Sequence, residues 1–426
     1  MRILWLVNIE IPEFFSVLGI ETKIFTGSWL ISMLNELKKV ENVNLSVVFP
    51  STKVKDIKSV QIDNVNYFAF PKIYRRKLNN VNYAIRKYSN YFYKILDITN
   101  PDIIHIHGTE EPHSFAMAKI SEERKIPFVL SVQSILNSLV KHYTGSLQLN
   151  DLKPNLLDII FRKSVHYNIK VISKLAMLEK ETYSLAKFII GRTTYDEAFS
   201  RILSPKSIYF HCNELLRPEF YQFNYIWNIN KCERNSIFLT QATHPLKGLH
   251  IVLEAINLLR KDFNNVKLYV SGPKILEKSF INYSPYERYI FKFIKLNNLY
   301  ENIKFLGILD AEEIIKQYLK THVFVSSSSI ENESNSLSEA KFLGVPSVVS
   351  YVGGTTDRII HGVDGFHYQH DSPYMLAYYI SKIFSNDELA EKLSENARIN
   401  ALKTNNIEKN ILKLLNIYFE IISTKK

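Results

Sequence analysis

Along most of the chain, short apolar runs alternate with stretches whose apolar residues recur at helical spacing. RILWLVN (2–8), NLSVVFP (44–50), DIIHIH (102–107), PFVLSV (127–132), KFIIG (187–191) and SIYFH (207–211) read as strands. A second series follows at SIFLT (236–240), VKLYVSG (266–272), IKFLG (303–307), HVFVSS (322–327) and PSVVSY (346–351). Between them, GSWLISMLNELKKV (27–40), GLHIVLEAINLLRKDF (248–263) and AEEIIKQYLKT (311–321) carry helical periodicity. Several strands are continuously apolar, as happens when helices cover both faces of a sheet. Strand–helix alternation of this kind predicts parallel sheets joined by right-handed crossovers.

The alternation restarts near residue 236, and 213–235 has no clean period and reads as a linker. A chain of 426 residues also exceeds what one core usually serves. Two α/β domains are therefore expected, over 1–212 and 213–405, each a Rossmann-like, doubly wound parallel sheet. In such sheets ligands bind outside the carboxyl ends of the strands, so two facing domains would form a cleft there. The last stretch, 406–426, opens with a helix too apolar to stand free and is expected to pack back on the first domain.

The chain is 46% hydrophobic and 22% charged, ordinary values for a globular protein. The start, MRILWLVNIEIPEFF, has a short apolar run soon followed by Glu10 and Glu13, unlike a secretory signal. No uncharged apolar run reaches membrane-spanning length. Two cysteines, Cys212 and Cys232, are too few for a disulfide framework, and a reducing cytoplasm is the expected location. The formal net charge of +11 points to anionic partners. Part of it is local. Residues 71–96 mix Lys72, Arg75, Arg76, Lys77, Arg86, Lys87 and Lys94 with tyrosine and phenylalanine. That mixture fits either an amphipathic element on an anionic membrane surface or a solvated basic helix. No nucleic-acid-binding signature accompanies it, and nucleic acid is not an expected partner.

The candidate chemistry centres on SSIENESNSLSEAKFLG (328–344), where Glu331 and Glu339 stand eight apart. In one continuous helix their carboxylates would lie about 12 Å apart along the axis, on faces turned by about 80°. The intervening asparagines and serines are poor helix-interior residues and good caps. Ser336 to Glu339 matches a capping box, so the predicted helix begins near Ser336, after a loop carrying Glu331. That loop can fold Glu331 over the helix N-terminus, whose free N–H groups suit a phosphate. A carboxylate there can accept hydrogen bonds from sugar hydroxyls. The residues alone leave two plainer readings open: Glu339 as a cap and Glu331 as a solvated loop acid.

The same stretch resembles the E-x7-E signature of retaining, nucleotide-sugar-dependent glycosyltransferases of the GT-B fold, in the large family 4. ITNPDIIHIHGTEEPHS (98–114), IIGRTTYDEA (189–198), HPLKGLHIVLEAI (244–256), KFLG (304–307) and GGTTDRIIHGVDGFHY (353–368) resemble further landmarks of that family, in order along nearly the whole chain. The resemblance implies an enzyme that moves a sugar from a nucleotide diphosphate-sugar to a glycan or lipid-linked acceptor, without a metal or other cofactor. Glu331 would lie beside the transferred sugar, and Glu339 would hold the donor's ribose. Asn335, Ser336 and Leu337 would line the sugar and phosphate pocket, with Gly353 and Gly354 also on the donor side. Lys247 would neutralise the departing diphosphate; without that context it reads as a surface lysine at a helix start. Gly27 and Ser28 resemble the family's glycine loop near the donor phosphates.

His107, Gln133 and Arg192 are the candidates for the acceptor side and cleft. Many relatives carry histidine where Gln133 stands, and glutamine cannot titrate. Many also have an arginine where Ala242 stands, so one phosphate clamp is missing; His244 and Arg192 are candidate substitutes. With no strong base in view, the resemblance implies front-face attack, with the leaving phosphate taking the acceptor proton. The basic stretch at 71–96 suggests a lipid-linked acceptor at the inner membrane face, as in surface or capsular polysaccharide assembly. A sugar-nucleotide epimerase and a catalytically silent scaffold subunit are the alternatives.

Overall fold

The computed structural model describes residues 1–20, 28–73, 81–275, 277 and 279–424. The chain divides into two compact units. The first comprises 1–137, 171–215 and 405–426; the second comprises 138–170 and 216–404. Residues 138–170 thus group with the second unit, although the sequence division counts them with the first domain.

The first unit is built on eight strands: β1 (Arg2–Leu6), β2 (Asn44–Ser51), β3 (Lys58–Ile62), β4 (Val65–Pro71), β5 (Ile103–His107), β6 (Phe128–Ser131), β7 (Phe188–Gly191) and β8 (Ile208–His211). Their spatial order is β3-β4-β2-β1-β5-β6-β7-β8. All neighbours run parallel except β3 and β4, which form an antiparallel hairpin. That hairpin is not among the expected strands. Its signals are the Asp63-Asn64 turn, with Asp63 at φ +52°, and the runs on either side. β3 is a half-exposed edge strand, so it lacks the continuous apolar run that marks the others.

The second unit holds β9 (Glu233–Thr240), β10 (Lys267–Ser271), β11 (Ile303–Gly307), β12 (Thr321–Ser326), β13 (Ser347–Ser350) and β14 (Phe366–Tyr368). Their order is β11-β10-β9-β12-β13-β14, all parallel. Counted along the unit, this is 3-2-1-4-5-6, the doubly wound order whose direction of winding reverses between its first and fourth strands. Here the reversal falls between β9 and β12. In the first unit it falls between β1 and β5. Both sheets follow the strand–helix alternation of the sequence, and their central strands β1, β5 and β12 are almost wholly buried.

The stretch 213–235 is not a free linker. Leu215, Leu216, Phe220 and Trp227 are buried, Pro218–Gln222 is a short helix, and Glu233 already begins β9. The Trp227 Nε1–H donates to the carbonyl of Thr321 at 2.7 Å. The terminal helix, Ile407–Ser423, belongs to the first unit. Trp5 Nε1–H donates to the Tyr418 hydroxyl at 2.9 Å, and that hydroxyl lies 2.5 Å from His105 Nδ1. Because the phenol accepts from Trp5, its own proton goes to His105. The remaining His105 nitrogen then donates to Ser131 Oγ, 2.6 Å away. Burial drives His105 down to about 3, so the ring is neutral and can play both roles.

The helix Val81–Thr99 carries Arg86, Lys87 and Lys94 of the basic stretch; Lys72 follows β4, and Arg75, Arg76 and Lys77 lie outside the described residues. Its apolar stripe of Ala84, Tyr88, Phe92, Ile95 and Leu96 is buried within the first unit. Tyr418→Phe is expected to strand the Trp5 donor and the His105 acceptor in the core. Stability should fall by about 1–3 kcal/mol. Urea unfolding checks this, with a lower midpoint at unchanged slope as the expected outcome.

Candidate active site

In the second unit a cavity of ≈ 180 Å³ opens where the winding reverses, outside the carboxyl ends of β9 and β12. β9 contributes Leu239 and Thr240, Gln241 follows directly, and β12 contributes Val325 and Ser326. Lys247, Ser327, Ser328, Glu331, Glu333, Ser334, Asn335 and Ser336 complete the lining.

Lys247 ends a 3-10 turn, Pro245–Lys247, and is followed by Gly248 in the left-handed region at φ +68°. A Cβ on Gly248 would also meet the carbonyl oxygen of Ser327 at 2.0 Å, so glycine is required twice over. Ser327 Oγ–H donates to the Lys247 carbonyl at 2.7 Å. The turn after β9 and the loop after β12 therefore lock together. The lock aims the Lys247 ammonium at Glu331, with Nζ 2.8 Å from Oε2. Ser328 Oγ–H donates to the same oxygen at 3.1 Å.

The backbone of Glu331 is pinned from a third loop. Gly354 N–H donates to the Glu331 carbonyl at 3.0 Å. A Cβ on Gly353, which sits at φ +48°, would meet that same oxygen at 2.1 Å. Gly353 and Gly354 are not among the residues lining the cavity; they hold the loop that carries Glu331.

The helix under the cavity is Asn335–Leu343, capped by Ser334, whose Oγ accepts from the Leu337 amide at 3.3 Å. The expected capping box from Ser336 to Glu339 does not form, and the helix starts earlier than the sequence suggests. The hydroxyl of Ser336 instead accepts from Thr240 Oγ–H at 2.8 Å. Asn335 and Ser336 face the cavity, and their amides stand where no intrahelical acceptor exists. Leu337 does not line it: its side chain is buried and its amide serves the cap.

Glu339 is placed differently from these residues. It lies buried one turn into the helix and outside the cavity lining. Arg217 grips it with two parallel bonds, Nε to Oε1 and Nη2 to Oε2, each 2.8 Å. Burial pushes the Glu339 carboxyl up, and Arg217 pulls it back. The Tyr318 hydroxyl donates to the carbonyl of Ser336 at 2.9 Å and lies 3.5 Å from Glu339 Oε2. Arg217 sits in the stretch 213–235, which has no sequence period, so spacing does not pair it with Glu339. Glu333 is a further residue of the cavity that spacing did not single out; it pairs with Arg358 at 2.5 Å.

In the first unit His107 stands at the carboxyl end of β5, Gln133 just after β6 and Arg192 just after β7. A cavity of ≈ 220 Å³ is lined by His107 and Gln133, with Asn8, Glu110, His113 and Trp29 among its other residues. His107 ends β5, stacked on His105 at 3.7 Å between ring centroids and edge-on to Trp5 at 4.6 Å. Neither of its ring nitrogens has a hydrogen bond among the described residues. Burial holds it well below the usual imidazole range, so it is neutral. Gln133 Nε2–H donates to Glu214 Oε1 at 2.6 Å, and Glu214 also pairs with Arg192. Arg192 donates to the Val132 carbonyl at 2.8 Å as well, and lines a separate pocket that includes Glu214. The Arg192 guanidinium is thus engaged inside the first unit. Glu110 accepts from the Ser134 amide at 2.8 Å and from Asn8 at 3.2 Å, while burial raises its carboxyl. Gly27 lies outside the described residues; Ser28 begins the helix Ser28–Leu37.

Residues 225–400 match the family model described as glycosyl transferases group 1. The capsular polysaccharide biosynthesis glycosyltransferase CapM of Staphylococcus aureus is 28% identical to it over 152 residues, 36% of this chain and 37% of that protein. The match therefore spans little more than a third of that relative. Among solved structures, sucrose-phosphate synthase from Thermosynechococcus elongatus superposes with a TM-score of 0.73 at 15% identity, covering 100% of both chains. Anabaena HepE in complex with UDP-glucose follows at 0.65 and 15%, covering 99% of this chain and 100% of that one. A mutant of S. aureus TarM, in complex with fondaparinux, alpha-GlcNAc-glycerol and UDP, gives 0.64 at 13%, covering 98% and 100%. At these identities the structural likeness is one of fold. That fold is the GT-B fold of glycosyltransferases, α/β with two parallel-sheet domains.

Arg217→Ala is expected to leave Glu339 buried without its counter-charge and to lower stability by about 3–5 kcal/mol. Adding Glu339→Gln should recover most of the loss, because a neutral amide needs no cation. Chemical denaturation of the single and double variants checks both outcomes.

Proposed function

We propose that the chain is a retaining glycosyltransferase of family 4. It takes a nucleotide diphosphate-sugar as donor and transfers the sugar to a glycan or lipid-linked acceptor, in surface or capsular polysaccharide assembly. One observation carries the reading: Lys247 and Glu331 meet at 2.8 Å over the head of the helix Asn335–Leu343, in the cavity where the second sheet reverses its winding. A helix N-terminus and an ammonium together make a site for a diphosphate. A carboxylate at its edge can accept hydrogen bonds from sugar hydroxyls.

In this reading the donor diphosphate lies over the amides of Asn335 and Ser336 and draws the Lys247 ammonium toward it. Releasing Glu331 from Lys247 leaves its carboxylate beside the transferred sugar. The positive charge of Lys247 offsets the negative charge that grows on the departing phosphate, a contribution that counts most in the transition state. Glu339 reaches ribose hydroxyls through lone pairs that Arg217 leaves available, since a carboxylate accepts about four bonds. The acceptor belongs to the first unit, in the cavity of His107 and Gln133. His107 is neutral and Gln133 cannot titrate, so neither is a strong base. That supports front-face attack with the leaving phosphate as proton acceptor. No step calls for a metal. The basic stretch 71–96 supports contact with an anionic membrane surface at its cytoplasmic face.

Lys247→Ala is expected to lower kcat by roughly tenfold to a hundredfold, the loss of one charge-assisted hydrogen bond in the transition state. Near-native turnover would remove the phosphate role. Thermal shift against UDP-, GDP- and ADP-sugars should show selective stabilisation by one donor class. Nuclear magnetic resonance of the product should show the anomeric configuration of the donor; inversion would overturn the retaining assignment.

A further inference from the structure

The short helix Leu156–Ile160, in the second unit, is polar on the inside and apolar on the outside. Leu156 is 71% exposed, Leu157 40%, Ile159 59%, Ile160 60%, and the following Phe161 51%. The helix's one acid, Asp158, is turned inward and buried, where it pairs with Arg288 at 2.5 Å. Asn155 and Asp158 close a full capping box at the start of the helix, with bonds of 2.8 and 2.9 Å. Arg288 also holds the Lys153 carbonyl at 3.2 Å and the Tyr283 carbonyl at 2.7 Å. Tyr283 directly follows the 3-10 turn Phe280–Asn282, which bears two more exposed apolar residues, Phe280 and Ile281. The outward apolar face is therefore built and braced. A soluble helix ordinarily has the opposite arrangement, and a contiguous exposed apolar patch marks an interaction surface.

Charge tells what covers it. Lys153, Arg162 and Lys163 flank the apolar face; all three are exposed and make no ion pair among the described residues. Arg162 adopts the left-handed conformation at φ +55°, and the Lys163 amide returns to the Asp158 carbonyl at 2.7 Å. This turn ends the helix and keeps both cations beside its rim. The acids between 149 and 163 are Asp151 and the inward-facing Asp158. An apolar wedge rimmed by cations matches an anionic bilayer, with the wedge among acyl chains and the cations at headgroup phosphates. A second protein copy is the weaker fit: specific interfaces engage about 20–30 residues a side, and this face offers a helix of 5 residues with its flanks.

We propose that Leu156–Phe161 is a membrane-docking element that inserts its apolar face into an anionic lipid surface. It extends the membrane reading given above and moves the inserting residues to the second unit. The apolar stripe of Val81–Thr99 is already buried in the first unit and is not free to enter lipid. The proposal does not depend on the donor assignment, because docking is read without turnover.

Flotation of the full chain with vesicles of phosphatidylglycerol and phosphatidylcholine tests it. The wild type should float with these vesicles and far less with phosphatidylcholine alone. Leu156→Ser/Ile160→Ser/Phe161→Ser should weaken flotation by roughly tenfold or more. Lys153→Ser/Arg162→Ser/Lys163→Ser should weaken it by roughly fivefold per cation, with a shallower salt dependence. All these side chains are exposed, and an unchanged melting temperature confirms folding. Arg86→Ser/Lys87→Ser/Lys94→Ser separates the two surfaces. If that variant stops floating while the apolar triple variant floats like wild type, the proposal falls and the 71–96 reading survives. If the wild type never floats, both fall. Sedimentation that shows a wild-type dimer, a monomeric apolar variant and no vesicle binding would assign the face to a second copy and overturn the lipid reading.

Discussion

An ammonium and a carboxylate 2.8 Å apart, Lys247 and Glu331, are what the second unit is arranged to hold. Neither side chain alone would stay in place, since each is borne on a loop. The loops are fixed by backbone contacts that leave no room for a Cβ, at Gly248 against Ser327 and at Gly353 against Glu331. The pair sits at the one place in a doubly wound sheet where neighbouring crossovers leave in opposite directions and open a crevice. The helix Asn335–Leu343 then points its free amides into that crevice. Fold, loop geometry and charge converge on a single cavity.

The two glutamates of the E-x7-E stretch show how one residue type takes two states. Glu331 is partly exposed in the cavity and touches the ammonium of Lys247, borne on a flexible stem. Glu339 is buried, gripped in bidentate fashion by Arg217, and backed by Tyr318. A planar guanidinium fork in a desolvated setting gives a far more persistent pair than a flexible ammonium at a cavity wall. Glu331 is thus the more accessible and more loosely held acid of the two, and Glu339 the buried and firmly held one.

The first unit keeps its polar groups in a different manner. His105, Trp5, Tyr418 and Ser131 form a closed chain of hydrogen bonds that ties the terminal helix to the sheet. His107, directly stacked on His105, is outside that chain and opens on the cavity of Gln133. A neutral imidazole there can give or take one hydrogen bond from a bound hydroxyl without carrying charge. Elsewhere the second unit turns apolar side chains outward at Leu156–Phe161 while its acid turns in, the reverse of what water alone would favour.

Hydropathy patterning was enough for the α/β class and for eleven of the strands' positions, because buried parallel strands must be continuously apolar whatever surrounds them. It missed β3 and β14, which are short, sit at a sheet edge and lack that run, and also the interior strand β4, whose buried run Tyr67–Phe70 did carry the signal. The grouping of Glu331, Asn335 and Ser336 was legible from a local motif, a loop acid ahead of a helix start, whereas Lys247 joined them only through the family resemblance. Arg217 on Glu339, Glu214 between Gln133 and Arg192, and Gly354 on the Glu331 carbonyl were not legible. Each of these is a contact between segments distant in the chain or without periodicity. Local sequence determines which backbone forms are stable; which charges meet is decided only when the packed sheet and helices set the distances between them.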